Sequence, residues 1–263
     1  MNAIRASNLC QKVGYFQLKD ISLSIPTGKM TAIIGPNGSG KSTFLKITAQ
    51  LMGMDEGEVL IHDKPIHTYK RRELAKTISM LPQSKEGLPN LSVKELVSYG
   101  RSPHHSFLNQ GSKTEDEAII DWALKITSTK KHENRMFHEL SGGEQQKARI
   151  AMSLAQKTDI LLLDEPTTYL DIAHQLDLME MLQEINEQYG ITIVMVLHDL
   201  QQAAAYSHHM IALKGGCLVD HGKPRDLLTA YFLQKVYNIN AHVYFENDYP
   251  IIIPQLKQRR LIP

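Results

Sequence analysis

Residues 35–43 read Gly35-Pro36-Asn37-Gly38-Ser39-Gly40-Lys41-Ser42-Thr43, directly after the apolar run Met30-Thr31-Ala32-Ile33-Ile34. Three glycines, a proline and an asparagine in so short a span make a turn that cannot bury its own backbone. Gly35, Gly40, Lys41 and Ser42 satisfy G-x-x-x-x-G-K-[ST], which chance produces in a chain of this length on the order of once in a hundred. A strand ahead of such a loop and a helix behind it suit it to phosphates. Backbone N–H groups cradle them, the helix N-terminus adds partial positive charge, Lys41 reaches the β and γ oxygens, and Ser42 offers a hydroxyl to Mg²⁺. The expected ligand is a nucleoside triphosphate.

A loop of this kind needs an apolar strand that ends in an acid. Ile160-Leu161-Leu162-Leu163 followed by Asp164 and Glu165 meets that description. Neighbouring side chains at a strand end point in different directions, so the two carboxylates divide their work. Asp164 is expected to hold Mg²⁺, and Glu165 to face the γ-phosphate and polarise the attacking water. The plainer reading is a pair of acids that ends a strand and caps the next segment.

Outward from these motifs, short apolar runs alternate with amphipathic stretches. Strand-like MTAIIG, TISML, DILLLD, ITIVMVL and HMIAL are separated by helix-like segments after Lys41, Gly143, Asp171 and Asp199. That alternation predicts an α/β fold, a largely parallel sheet with helices on its faces. Leu178, Met181, Leu182 and Ile185 form one stripe of a helix, which reads as core. Between about Gln83 and Ala155 strand-like runs vanish and helices cluster, which predicts an inserted all-helical subdomain. Ser92 and Glu95 have capping-box spacing, as do Ser141 and Glu144, and the stretch EGLPN reads as a turn.

Bulk properties narrow the class. The chain has 263 residues, 42% of them hydrophobic and 22% charged, which suits a globular protein with a substantial core. Its 29 basic and 28 acidic residues leave a formal charge of +1, so no global field points to nucleic acid. Two cysteines, Cys10 and Cys217, stand in no metal or redox spacing and fit a reducing compartment. No apolar run approaches the roughly 20 residues of a membrane span, and the amino terminus reads as neither signal peptide nor lipoprotein leader. Paired histidines at His104-His105 and His208-His209 point apart on any regular element and suggest no metal site. The basic tail QLKQRRLIP reads as a solvated terminus.

Six motifs in order then carry a resemblance: GPNGSGKST; LPQ at Leu81–Gln83; LSGGE at Leu140–Glu144; ILLLDEP; TYLD ending at Asp171; and LHD at Leu197–Asp199. Together they resemble the nucleotide-binding subunit of an ABC transporter over essentially residues 1–240. The resemblance implies a P-loop ATPase core, mainly a parallel sheet flanked by helices with an antiparallel β subdomain. It places that core at 1–83 and 156–240, a helical subdomain at about 84–155 and a C-terminal extension at 241–263. By the same resemblance Gln83 senses the γ-phosphate and Mg²⁺, and His198 contacts the γ-phosphate and positions the nucleophile. Ser141, Gly142 and Gly143, with Asp171, belong to the nucleotide site of a head-to-tail dimer in which each ATP lies between two copies. An aromatic residue stacks on adenine, for which Tyr15 is the candidate and Phe16 the alternative. The signature departs from the family's usual glutamine at Glu144.

The segment Val93–Arg101 with Pro103-His104, and the stretch around DEPTTYLDIAHQ, are similar to ATPases of iron(III)-siderophore importers, with haem and cobalamin importer ATPases as close relatives. The implied partners are a second copy of the chain, integral permease subunits and, indirectly, an extracytoplasmic substrate-binding protein. The implied cofactors are ATP and Mg²⁺, and the implied place is the cytoplasmic face of the cell membrane. A soluble ABC ATPase of translation or DNA repair would carry two cassettes or long coiled coils, and neither is present.

Overall fold

The computed structural model describes residues 1–83, 90–105 and 113–255. Twelve strands and nine α-helices are found among them: β1 (Asn2–Val13), β2 (Phe16–Pro26), β3 (Met30–Ile34), α1 (Lys41–Thr48), β4 (Glu56–Ile61), β5 (Lys64–Pro65), α2 (Arg71–Leu74), β6 (Ile78–Leu81), α3 (Val93–Ser98), α4 (Lys113–Ile126), α5 (Gly142–Ala155), β7 (Ile160–Asp164), α6 (Ile172–Tyr189), β8 (Thr192–Val196), α7 (Leu200–Tyr206), β9 (His209–Lys214), β10 (Cys217–Gly222), α8 (Pro224–Leu227), α9 (Ala230–Tyr237), β11 (Ala241–Glu246) and β12 (Tyr249–Pro254).

The central sheet has the order β10-β9-β3-β8-β7-β6. Its pairs β9·β3, β3·β8, β8·β7 and β7·β6 are parallel, and β10 closes one edge antiparallel to β9. Every residue of β3, β7 and β8 is buried. The physical reason lies in the pleat. Successive side chains point to opposite faces, so Leu161 and Leu163 join one apolar cluster while Ile160 and Leu162 join the other. A strand covered on both faces is apolar along most of its length, and these strands depart from that only at Thr31, Asp164 and Thr192.

A second sheet, β2-β1-β4-β5, is antiparallel and shares the cluster beneath α1. Between β6 and β7 the described residues hold helices and 3₁₀ turns. Ser92 accepts a hydrogen bond from the Glu95 N–H while the Glu95 carboxylate accepts from Ser92, so both halves of the expected capping box form. Ser141 and Glu144 do the same at the start of α5. In α6, Leu178, Met181, Leu182 and Ile185 are buried as their spacing requires.

Residues 84–89 lie outside the description, and with them most of the expected EGLPN turn; so do residues 256–263 and the basic tail. Ahead of that tail, β11 and β12 pair as a hairpin that packs on α7 and α9. Both cysteines are free thiols, and among the described residues no helix is long and apolar enough to cross a membrane.

Candidate nucleotide site

Sheet order assembles the site. Strands β3, β8, β7 and β6 are neighbours and run parallel, so the segments that follow them emerge side by side at one edge. Those segments are the glycine loop after β3, Leu197-His198 after β8, Asp164-Glu165 at the end of β7, and Pro82-Gln83 after β6. A cavity of ≈ 690 Å³ opens there, lined by Asn37 to Thr43, Gln83, Glu165, Thr168, Tyr169, His198, Val13 and Phe16.

The glycine loop is shaped by contacts that exclude side chains. Gly35 has φ +144°, and a Cβ there would sit 2.0 Å from the Leu213 carbonyl oxygen. Gly40 has φ +101°, and its Cβ would meet Leu18 Cδ2 at 2.4 Å and Phe16 Cζ at 2.8 Å. Lys41 folds back over the loop and donates to the carbonyls of Gly35 at 2.9 Å and Pro36 at 3.1 Å. Burial pushes its ammonium below the ordinary lysine value, against the opposing pull of Glu165 and Asp164. Ser39 Oγ is buried and has no hydrogen-bond partner among the described residues. A loop with a desolvated cation, an orphaned hydroxyl and a bare backbone is built to receive phosphate oxygens.

Ser42 Oγ donates to Asp164 Oδ1 at 2.8 Å. Burial raises the Asp164 carboxyl above its ordinary value; the Ser42 hydrogen bond opposes that rise, and Glu165 adds to it. A buried carboxylate bonded to a hydroxyl, with the Gln83 side chain lining the same small cavity, is a hard oxygen donor set. That chemistry fits Mg²⁺.

Glu165 is engaged by three side chains, two of which donate hydrogen bonds to it. His198 Nε2 lies 2.6 Å from its Oε1, Gln83 Nε2 donates to its Oε2 at 2.6 Å, and Thr168 Oγ1 donates to the same oxygen at 3.1 Å. The Glu165 backbone is itself left-handed, with φ 54°. For a non-glycine residue that conformation persists only where its surroundings enforce it. Gln83 follows Pro82, whose carbonyl accepts from Arg149 of α5 at 2.9 Å, so the helical region grips this loop directly.

The sequence-derived candidates divide by position. Gln83, Glu165 and His198 meet at the cavity, as do Asn37 through Thr43. Gly35 and Pro36 shape the loop from behind through the carbonyls that hold Lys41. Tyr15 sits fully exposed in the β1–β2 turn and does not line the cavity, whereas Phe16 does. Asp171 caps α6 by accepting from the His174 N–H at 2.9 Å and lies outside the cavity. Ser141, Gly142 and Gly143 also lie outside it, and a Cβ on Gly143 would clash with His174 Cδ2 at 2.2 Å. Thr168 was not singled out from sequence; its signal is its place three residues after Glu165, within reach of the carboxylate across one turn. Among the described residues no cluster of three histidine, cysteine or acidic side chains forms a separate metal site.

The ABC transporter family matches residues 18–168. The petrobactin import ATP-binding protein FpuC of Bacillus anthracis is 45% identical over 240 residues, covering 91% of this chain and 88% of that protein. The iron(3+)-hydroxamate import ATP-binding protein FhuC of Bacillus subtilis (strain 168) is 44% identical over 246 residues, 92% and 90% of the two chains. Among solved structures, the ATP-binding cassette MJ0796, dimeric in a post-hydrolysis state with ADP and Pi, superposes with a TM-score of 0.72. It is 32% identical, over 84% of this chain and 99% of that one.

Proposed function

This chain belongs to the ABC transporter family, and from that premise we propose that it energises an importer of iron(III)-siderophores in the cell membrane. It binds ATP, and its hydrolysis of ATP drives transport. The observation that carries the reading is the convergence of the glycine loop, Gln83, Asp164, Glu165 and His198 at one edge of the sheet. The cargo rests on the import proteins named above, which share more than two fifths of this sequence over nine tenths of the chain.

We infer the following roles. The N–H groups of residues 38–43 and the Lys41 ammonium hold the phosphates, and Ser39 Oγ finds its missing partner there. Ser42, Asp164 and Gln83 would hold Mg²⁺, which when bound would offset the charge of the β and γ oxygens. Glu165 accepts a proton from the attacking water once one of its three present partners yields. His198, which now touches Glu165, turns to the γ-phosphate and orients the nucleophile. Phe16, packed against Gly40 at the mouth, takes the adenine ring in place of Tyr15.

The last role is tested by substitution. Phe16→Ala is expected to weaken ADP binding about tenfold, in line with the roughly 1–3 kcal/mol measured for base stacking on an aromatic ring. Tyr15→Ala should leave it within about twofold. Isothermal titration distinguishes the two.

Ser141 to Gly143 do not reach the cavity of their own chain, so we infer that they complete the site of a second copy docked head to tail. ATP then bridges the copies, and loss of the γ-phosphate removes the bridge. This motion passes to permease subunits through the helical region, residues about 84–155, beside Gln83 and α3. The core at 1–83 and 156–240 holds the nucleotide, and residues 241–263 form an extension. An extracytoplasmic binding protein delivers cargo from the far side, and the chain itself sits peripherally on the cytoplasmic face. Reconstitution with its permease in vesicles tests the assignment: loaded ferric-siderophore binding protein should stimulate ATP hydrolysis several-fold. Stimulation by haem or cobalamin carriers instead would reassign the cargo.

A further inference from the structure

Glu144 stands three residues into the signature helix, where the family resemblance leads one to expect glutamine, and both oxygens of its carboxylate are engaged. Oε2 accepts from the Ser141 backbone N–H at 2.9 Å and from the Ser141 hydroxyl at 3.0 Å. Oε1 lies 2.9 Å from Nε2 of His132, whose side chain is 12% exposed against 32% for Glu144. The approach has ion-pair distance without the alignment of a hydrogen bond, and Nε2 is buried with no other partner among the described residues. On the other side of the imidazole, Arg135 Nη1 lies 3.4 Å from His132 Nδ1. A guanidinium can only donate, so Nδ1 is the acceptor and the ring proton sits on Nε2, on the side of the carboxylate.

The segment that carries this pair is fastened in place. The Arg135 carbonyl accepts from the Val93 N–H at 3.0 Å, and the Glu133 carbonyl from the Lys94 N–H at 2.9 Å, which stitches residues 133–135 to the start of α3. The nearby Lys130 is committed to Asp121 at 2.9 Å and Glu133 at 2.6 Å. Arg135 therefore supplies the positive charge at the end of a chain that runs Arg135, His132, Glu144, Ser141, in which His132 turns its Nε2–H side to the carboxylate.

Its consequence follows from charge. The bonds from Ser141 hold the Glu144 carboxyl below its ordinary value, so it is ionised at neutral pH. An anion beside the Ser141 hydroxyl repels an approaching phosphate and also draws the hydroxyl proton away from it. Glutamine would carry no charge to repel the phosphate, although its amide oxygen could still accept from the Ser141 hydroxyl. We propose that His132 is a positioning residue that turns its Nε2–H to the second oxygen of Glu144 and, with the Arg135 guanidinium behind it, draws the negative charge of Glu144 away from Ser141, so that Ser141 can meet the γ-phosphate held by the partner copy. This rests on the head-to-tail reading above.

The test is ATP-driven dimerisation of the full chain carrying Glu165→Gln, followed by sedimentation as ATP is titrated. Adding His132→Leu should raise the ATP concentration at half-dimerisation about tenfold, a coupling within the range of contacting polar pairs. His132→Gln keeps an N–H for Glu144 and should shift it less than about threefold. With Glu144→Gln also present, His132→Leu should shift it less than about twofold, because no charge remains to be offset. Melting without nucleotide reports any general damage. An unchanged midpoint for His132→Leu beside Glu144 overturns the proposal. An equal loss from His132→Leu with and without Glu144→Gln overturns it as well, since that marks a purely structural histidine. If Glu165→Gln alone stays monomeric at saturating ATP, the dimer reading itself fails, before any change at position 132, and the proposal falls with it.

Discussion

Glu165→Gln is expected to leave ATP binding intact while slowing hydrolysis by about 10²–10⁴-fold, the usual contribution of a positioned general base. Glutamine has nearly the same shape as glutamate: its amide oxygen can accept from Gln83 and Thr168, which now donate to one carboxylate oxygen at 2.6 and 3.1 Å, while its NH2 faces His198 Nε2 as a donor. The carboxylate's charge, one of its two acceptor oxygens and its capacity to take a proton are lost, and the last of these is what hydrolysis requires. With hydrolysis blocked, ATP persists at the joint between copies, and a stable dimer should appear by gel filtration on adding ATP and Mg²⁺. Single-turnover measurement of phosphate release checks the rate. Near-normal turnover would remove Glu165 from the chemistry and shift the search to Gln83 or His198.

Lys41→Ala is expected to act at the step before, weakening ATP binding by about 10–100-fold, as charge-assisted hydrogen bonds of roughly 1.5–3 kcal/mol are lost. Its effect on the folded chain should be small, for two opposing reasons. The ammonium is buried, which lowers its pKa, so its removal relieves a cost. Against that, the carbonyls of Gly35 and Pro36 lose the donor that now satisfies them. Melting without nucleotide should therefore move by only a few degrees, while the stabilisation that ATP confers on the wild-type chain largely disappears. Differential scanning fluorimetry with and without ATP reads both. A large drop in melting temperature without nucleotide would instead assign Lys41 a structural role.

These two residues show how unevenly the site could be read from sequence. Lys41 was legible because the glycines, the lysine and the serine occupy adjacent positions, and a strand–loop–helix places them together without help from the rest of the chain. Glu165 was legible for the same local reason, as an acid at the end of an apolar strand. Both capping boxes were legible as well, since Ser92–Glu95 and Ser141–Glu144 close over a single turn. Tyr15 and Phe16 were not distinguishable in this way. They are adjacent in a turn, and the pairing of Val13 with Phe16 across β1 and β2 sends one ring to the cavity and leaves the other in solvent. A one-residue change of register exchanges the faces, and no local pattern near Gly14 specifies it. For Asp171 the motif position points to the nucleotide site of paired copies, and in the single chain its carboxylate caps α6.

The amino-acid sequence by itself determined that this chain carries a phosphate loop, an acidic strand end, a parallel sheet buried on both faces and a helical stretch within it. Each of these follows from residues within a few positions of one another, where periodicity and turn chemistry act. Only the tertiary structure decided that Gln83, Glu165 and His198 touch, although they lie 82 and 33 residues apart, because that contact depends on β6, β7 and β8 being neighbours in the sheet. It likewise decided that His132 faces Glu144. Strand order and helix packing are set by how the two apolar clusters close over the whole chain, a global balance of burial that no short stretch of sequence contains.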